Sequence, residues 1–111
     1  MRQAARIDAN QTKLVDLWRK MGVSVWITSA LGKGAPDAIL GLLDGRGERI
    51  NLLVEIKDGS KPLSQQRLTH DELYFHQEWK GQICIVRSEM EAMNLIFRAR
   101  QPHDREQLLQ R

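Results

Sequence analysis

The stretch GKGAPDAILGLLDGRGERINLLVEIK, from Gly32 to Lys57, limits what this chain can fold into more than any other. AILGLL and INLLVEIK read as strands, and DGRGER between them carries the glycine and aspartate of a tight hairpin. A turn centred near Arg46 sets Asp37 opposite Glu55, with Cβ atoms within about 5.5 Å. Lys57, two residues beyond Glu55, points to the same face, while Leu52, Val54 and Ile56 point to the other. One face of the hairpin end therefore collects two acids and a lysine, and the opposite face stays apolar.

The remaining segments predict a frame around that hairpin. Leu14, Leu17, Trp18 and Met21 recur at helical spacing from about Ala9 to Met21, with Asp8 or Asn10 as cap and Gly22 as stop. VSVWITS reads as a strand, LGKGAPD as a loop and DGSKPLSQQR as a polar loop. THDE is a capping box that opens a helix from about Thr69 to Lys80. On that helix Leu68, Glu72, Phe75 and Trp79 share a core-facing side. QICIVRS is a fourth strand that buries Cys84, and SEME opens a last helix to about Arg100, striped by Met93, Ile96 and Phe97. Trp18, Trp26 and Trp79 are expected in the core.

The order α-β-β-β-α-β-α predicts an α/β or α+β class, a small mixed β-sheet flanked by helices. The link between the third and fourth strands is long enough for a parallel crossover. With 111 residues, a single domain over 1–111 is expected, its last residues 101–111 forming a loose or interface-forming tail after the proline break. The net charge of +3 permits a nucleic-acid partner without requiring one. The lone Cys84 excludes an internal disulfide and fits a reducing compartment. No secretory leader and no apolar run of about 20 residues is present, so the expectation is a cytoplasmic protein with no membrane association.

Two carboxylates as close as Asp37 and Glu55 repel each other unless a cation joins them. Oxygen donors of this kind suit Mg²⁺ or Mn²⁺, and Mg²⁺ takes only one or two carboxylates beside water and substrate phosphate. A lysine next to that metal orients or deprotonates a water, or neutralises a pentacovalent phosphate. These are the parts of metal-assisted phosphodiester hydrolysis. Gly32 and Gly34, just before Pro36, would let a phosphate backbone approach. The P-loop pattern is absent, and Arg46, Glu48 and Arg49 rule out a calcium loop between Asp44 and Glu55.

The motifs Pro36–Asp37 and Glu55–Ile56–Lys57 resemble those of the PD-(D/E)xK nuclease superfamily. More narrowly, GKGxPD, LLVEIKDG, the LT that opens a helix, and WKGQ before a strand resemble the compact, free-standing phage and bacterial VRR-NUC (virus-type replication-repair nuclease) domains. The resemblance spans roughly Arg6 to Ser88 and implies a restriction-endonuclease-like core. It implies that Asp37, Glu55 and the Ile56 backbone carbonyl bind Mg²⁺ or Mn²⁺, and that Asp37, Glu55 and Lys57 are catalytic. It adds accessory positions: a first-helix acid, for which Asp8 and Gln11 are the candidates, and a glutamine on the helix after ExK, a position that Glu72 occupies in this sequence.

The expected activity is a divalent-metal-dependent endonuclease of DNA repair, structure-selective on branched DNA in the manner of a Holliday-junction resolvase, in a bacterial or phage-infected cell. The alternatives are a flap, single-strand or restriction-like nuclease, or a catalytically silent DNA-binding module on the same fold. Lys33, Lys61 and Arg67 are the candidate DNA-phosphate contacts. Glu72 is explained either by its capping box or by a role at the metal site. His76 is expected to be hydrogen-bonded and half-buried, His70 and His103 to lie on the surface. A homodimer is expected, built from Met90, Met93, Ile96, Phe97, Leu108 and Leu109, unless these simply complete the monomer core.

Overall fold

The computed structural model describes residues 9–102. Leu14, Val15 and Trp18 fall on one side of helix α1 (Ala9–Lys20) and are buried there. Gly22, with φ of 82°, ends its last turn, a left-handed conformation that glycine adopts without a Cβ penalty. The sheet follows as β1 (Ser24–Ile27), β2 (Ala38–Leu43), β3 (Arg49–Ile56) and β4 (Ile83–Val86), in that spatial order. β1, β2 and β3 run antiparallel, and β4 lies parallel to β3. The crossover carries α2 (Leu63–Gln66) and α3 (His70–Glu78), and α4 (Glu89–Arg100) closes the described chain. The fold is mixed α/β, as the order of segments predicts.

The hairpin register runs from Ala38↔Val54 to Leu43↔Arg49, centred on the turn as expected. Asp44 fixes that turn, its Oδ1 accepting from the N–H groups of Arg46 at 2.8 Å and Glu48 at 2.9 Å. Ala38, Leu40, Leu42, Leu52, Val54, Ile56 and Val86 face one side and form a single core with Leu14, Trp18, Ala92 and Ile96 of α1 and α4. The small Ala92 lets the two helices close up, so that the Trp18 indole N–H donates to the Ala92 carbonyl at 3.1 Å.

Several expectations are corrected. Only Trp18 of the three tryptophans is core; Trp26 is 66% exposed and Trp79 45%. Trp26 sits on edge strand β1 and points away from the core side, and Trp79 caps α3 and stacks on Phe75 at 5.6 Å. α3 buries no residue fully. α4 turns Ala92, Leu95, Ile96 and Ala99 inward, at helical spacing, and leaves Phe97 outside. The polar loop contains α2, started by Pro62, whose φ of −56° suits a helix start. A 3₁₀ turn at Ser29–Leu31 replaces the expected end of the first strand. Cys84 is half-buried, its thiol pushed up by burial. The second capping box is half made: Ser88 Oγ accepts from the Glu91 N–H, but the Glu91 carboxylate accepts from the Arg87 N–H instead of its cap. Asp8, His103, Leu108 and Leu109 lie outside the described residues. Among the described residues no helix is long and apolar enough to cross a membrane.

Candidate active site

Asp37 stands one residue before β2 and brackets Glu55 on the neighbouring strand. Its N–H donates to the Val54 carbonyl at 2.9 Å, and its Oδ2 accepts from the Ile56 N–H at 2.7 Å. Thr28, buried at the end of β1, holds the other flank: its N–H donates to the Asp37 carbonyl, and its hydroxyl donates to the Pro36 carbonyl at 2.7 Å. Glu55 belongs to the sheet face opposite Val54 and Ile56. Asp37, Glu55 and Lys57 thus gather at one end of the sheet, although the two acids meet through the Asp37 side chain reaching into the ladder, not as a simple cross-strand pair.

Glu55 is only 2% exposed, and its Oε1 is buried without a hydrogen-bond partner. An unpaired buried polar atom costs about 1–3 kcal/mol, and more if charged. Burial first, and the neighbouring Asp37 carboxylate second, push the Glu55 carboxyl up to about 10. Burial also raises Asp37, against the opposing bond from the Ile56 N–H. The cation at hand is mostly spoken for: the Lys57 ammonium lies 2.8 Å from Glu72 Oε1 and 3.8 Å from Glu55 Oε2.

Glu72 reaches the site through its helix cap. Thr69 Oγ1 accepts from the Glu72 N–H at 3.2 Å, and Glu72 Oε1 accepts from the Thr69 N–H at 2.8 Å. The same Oε1 accepts from Lys57, so the capping box is formed and its carboxylate also meets the lysine of the candidate site. Burial works against its charge, but the Lys57 ammonium and the Thr69 N–H keep its carboxyl below the usual range. Gly34 makes this approach feasible. It has φ of 79°, and a Cβ there would overlap the Asp71 carbonyl. Its missing side chain therefore admits α3, where a phosphate was expected.

Of the accessory positions, Gln11 is 4% exposed with its Nε2 3.5 Å from Ser29 Oγ, and Asp8 lies outside the described residues. Asn10, expected as a cap, is instead inside α1 and donates to the Lys57 carbonyl at 2.9 Å. His76 is half-buried, but its Nε2 lacks the expected partner, and burial lowers its pKa. Lys33 is exposed on the loop into Asp37, and Lys61 and Arg67 are exposed on the segment after Lys57. An open cavity of about 810 Å³ lies beyond Lys57, between Asn10 and Lys13 of α1, the Asp58–Ser60 turn, and Arg87 at the start of α4; it contains neither Asp37 nor Glu55. The contact of Asn10 with Lys57 and the place of Thr28 beside Asp37 escaped the sequence reading. Thr28 had a usable signal, since pairing β1 with β2 sets it beside Asp37.

The donor set suits a hard divalent cation. It offers two carboxylates, with the Ile56 carbonyl beside Glu55 in the chain, and a carboxyl oxygen lacking a partner. Among the described residues no group of three or more histidine, cysteine, aspartate or glutamate side chains is placed to hold a metal. No protein-family model, curated protein or solved structure matches the chain, and the site is assigned on its own geometry.

Proposed function

We propose that this chain is a divalent-metal-dependent endonuclease that hydrolyses DNA phosphodiesters, on a restriction-endonuclease-like core of the VRR-NUC kind. The observation that carries the reading is the buried Glu55 carboxyl group beside Asp37, with an oxygen left unpaired. A fold without chemistry gains nothing from that repulsive pair, whereas a cation between the acids relieves it. Asp37 and Glu55 would hold Mg²⁺ or Mn²⁺ with the Ile56 carbonyl, and the ion would supply Lewis acidity and an activated water.

The chain's own groups divide the remaining work. The Ile56 N–H orients the Asp37 carboxylate. Asn10 and the Val86 carbonyl fix the backbone of Lys57, the latter accepting its N–H at 3.0 Å. Glu72 holds the Lys57 ammonium beside the acids, where it stabilises negative charge gathering on a phosphate. Lys33, Lys61 and Arg67 supply phosphate contacts that position the strand without reading sequence.

Branched DNA is the proposed substrate, cut by a homodimer in which each subunit makes one nick. Ile96 completes the monomer core, while Met90 and Phe97 remain exposed at 68% and 53% and are available to a partner. The test is to incubate purified protein with duplex, flap, fork and four-way-junction DNA in Mg²⁺, Mn²⁺ or EDTA. The expected result is metal-dependent cleavage strongest on branched DNA and abolished by Asp37→Asn. Cleavage confined to flaps points to the single-strand alternative. Undiminished cleavage by Asp37→Asn, or DNA binding with no cleavage in any metal, overturns the reading in favour of another site or a silent module.

A further inference from the structure

The sheet face that bears Glu55 also bears an apolar row. Trp26, Ile39, Leu53 and Ile83 are register partners across all four strands. Glu55 follows Leu53 by two residues on β3, so this row lies about 7 Å from the acid, on the same side. Ile39, Leu53 and Ile83 are half-buried, but the outer end of the row is an indole with 66% of its surface exposed. Ile39, the strand partner of Trp26, is itself two residues from Asp37. At the same sheet edge, the exposed Arg19 of α1 reaches the strand before the indole, its guanidinium donating to the Val25 carbonyl at 3.4 Å. One sheet face thus bears an exposed aromatic surface at its edge strand and an acid pair one row away, with a cation on the backbone of that edge.

We propose that Trp26 is a stacking platform for an unpaired nucleobase of the DNA strand whose phosphodiester lies at Asp37 and Glu55. This rests on the nuclease reading and names what that site selects. Single-strand binders combine cations that track the phosphates with aromatic side chains that stack the bases. Arg19 and the exposed Lys33 provide the charge complementary to that strand. Bases inside a continuous duplex are stacked on both faces and have none to offer the indole. Flaps, frayed arms and branch points do expose a base face, so Trp26 favours DNA whose pairing is interrupted next to the scissile bond. Trp26 is thus a specificity-determining residue.

The test uses a fluorescein-labelled 15-nucleotide oligothymidylate in EDTA, and a flap and a fully paired duplex in Mg²⁺. Stacking is worth about 1–3 kcal/mol per base, so Trp26→Ala should weaken oligothymidylate binding about tenfold or more, while Trp26→Phe stays within about threefold. Flap cleavage should fall with Trp26→Ala, and its preference over duplex should shrink. The exposed position leaves the fold intact, checked by an unchanged melting temperature. If Trp26→Ala binds and cleaves like the wild type, the platform is wrong and the nuclease reading stands. If no form cleaves DNA but Trp26→Ala still loses the oligonucleotide, the nuclease reading fails and the surface remains. If Trp26→Ala turns a dimer into a monomer by light scattering, with oligonucleotide binding unchanged, a second copy covers the indole and the proposal is overturned.

Discussion

Glu55 occupies a position where a strand normally places an apolar side chain, and the Lys57 ammonium near it at 3.8 Å is shared with Glu72, which it meets at 2.8 Å. That sets a pH dependence with a definite sign. A carboxyl raised to about 10 by burial and by Asp37 keeps its proton in the folded state over a range where the unfolded chain has lost it. Stability in EDTA should therefore decline as pH rises from the ordinary carboxyl range towards that value. Melting temperatures at pH 6 and pH 9 should differ more for the wild type than for Glu55→Gln, which has no proton to lose there. Equal pH slopes for the two proteins would remove the electrostatic basis of the site. Lys57, held between Glu72 and Glu55, makes a second prediction at this scale. Lys57→Ala should lower turnover on branched DNA about 100-fold or more, the usual loss of one stabilising cation or donor. Its effect on DNA binding should be small by comparison. Single-turnover rates at saturating protein separate the two effects, and weak binding with normal turnover would assign Lys57 to the DNA-binding surface instead.

At the level of elements, α3 buries no residue fully, yet its capping box ends on the lysine of the site. Glu72→Gln keeps an oxygen for the Thr69 N–H and loses the charge facing Lys57. Glu72→Ala loses both. The alanine variant should be about 1 kcal/mol less stable than the glutamine variant, which keeps the cap. Both should reduce turnover. Loss of activity only in the alanine variant would mean that the cap, and not the charge, matters. The hairpin was legible because a tight turn fixes register, and register fixes faces: Leu52, Val54 and Ile56 lie in the core and Glu55 on the other side. The capping box at Thr69 was legible because it is a local hydrogen-bond pattern. The positions of Trp26, Phe97 and Asn10 were not. Each depends on what another element covers, and spacing within one segment carries no such information. Gly34 was misread for the same reason, since its close neighbour is α3, more than thirty residues downstream by the numbering of Asp71.

Taken as a whole, the molecule has an unequal sheet. One face is sealed by α1 and α4, and the other carries the acids, the Trp26 row and the thinly buried α3. The sealed face contributes rigidity, and the open face presents the chemistry. The account stands or falls on whether the acids at the end of that face form a cation site, which can be measured without knowing the DNA substrate. Manganese titrated into the protein by calorimetry, near neutral pH and in two buffers of different ionisation enthalpy, reports both affinity and protons displaced. The account predicts saturable Mn²⁺ binding accompanied by proton release, because the ligands must be deprotonated to bind the ion. It predicts that the binding is lost in Asp37→Asn and in Glu55→Gln. Absence of binding by the wild type, or equal binding by all three proteins, would contradict it.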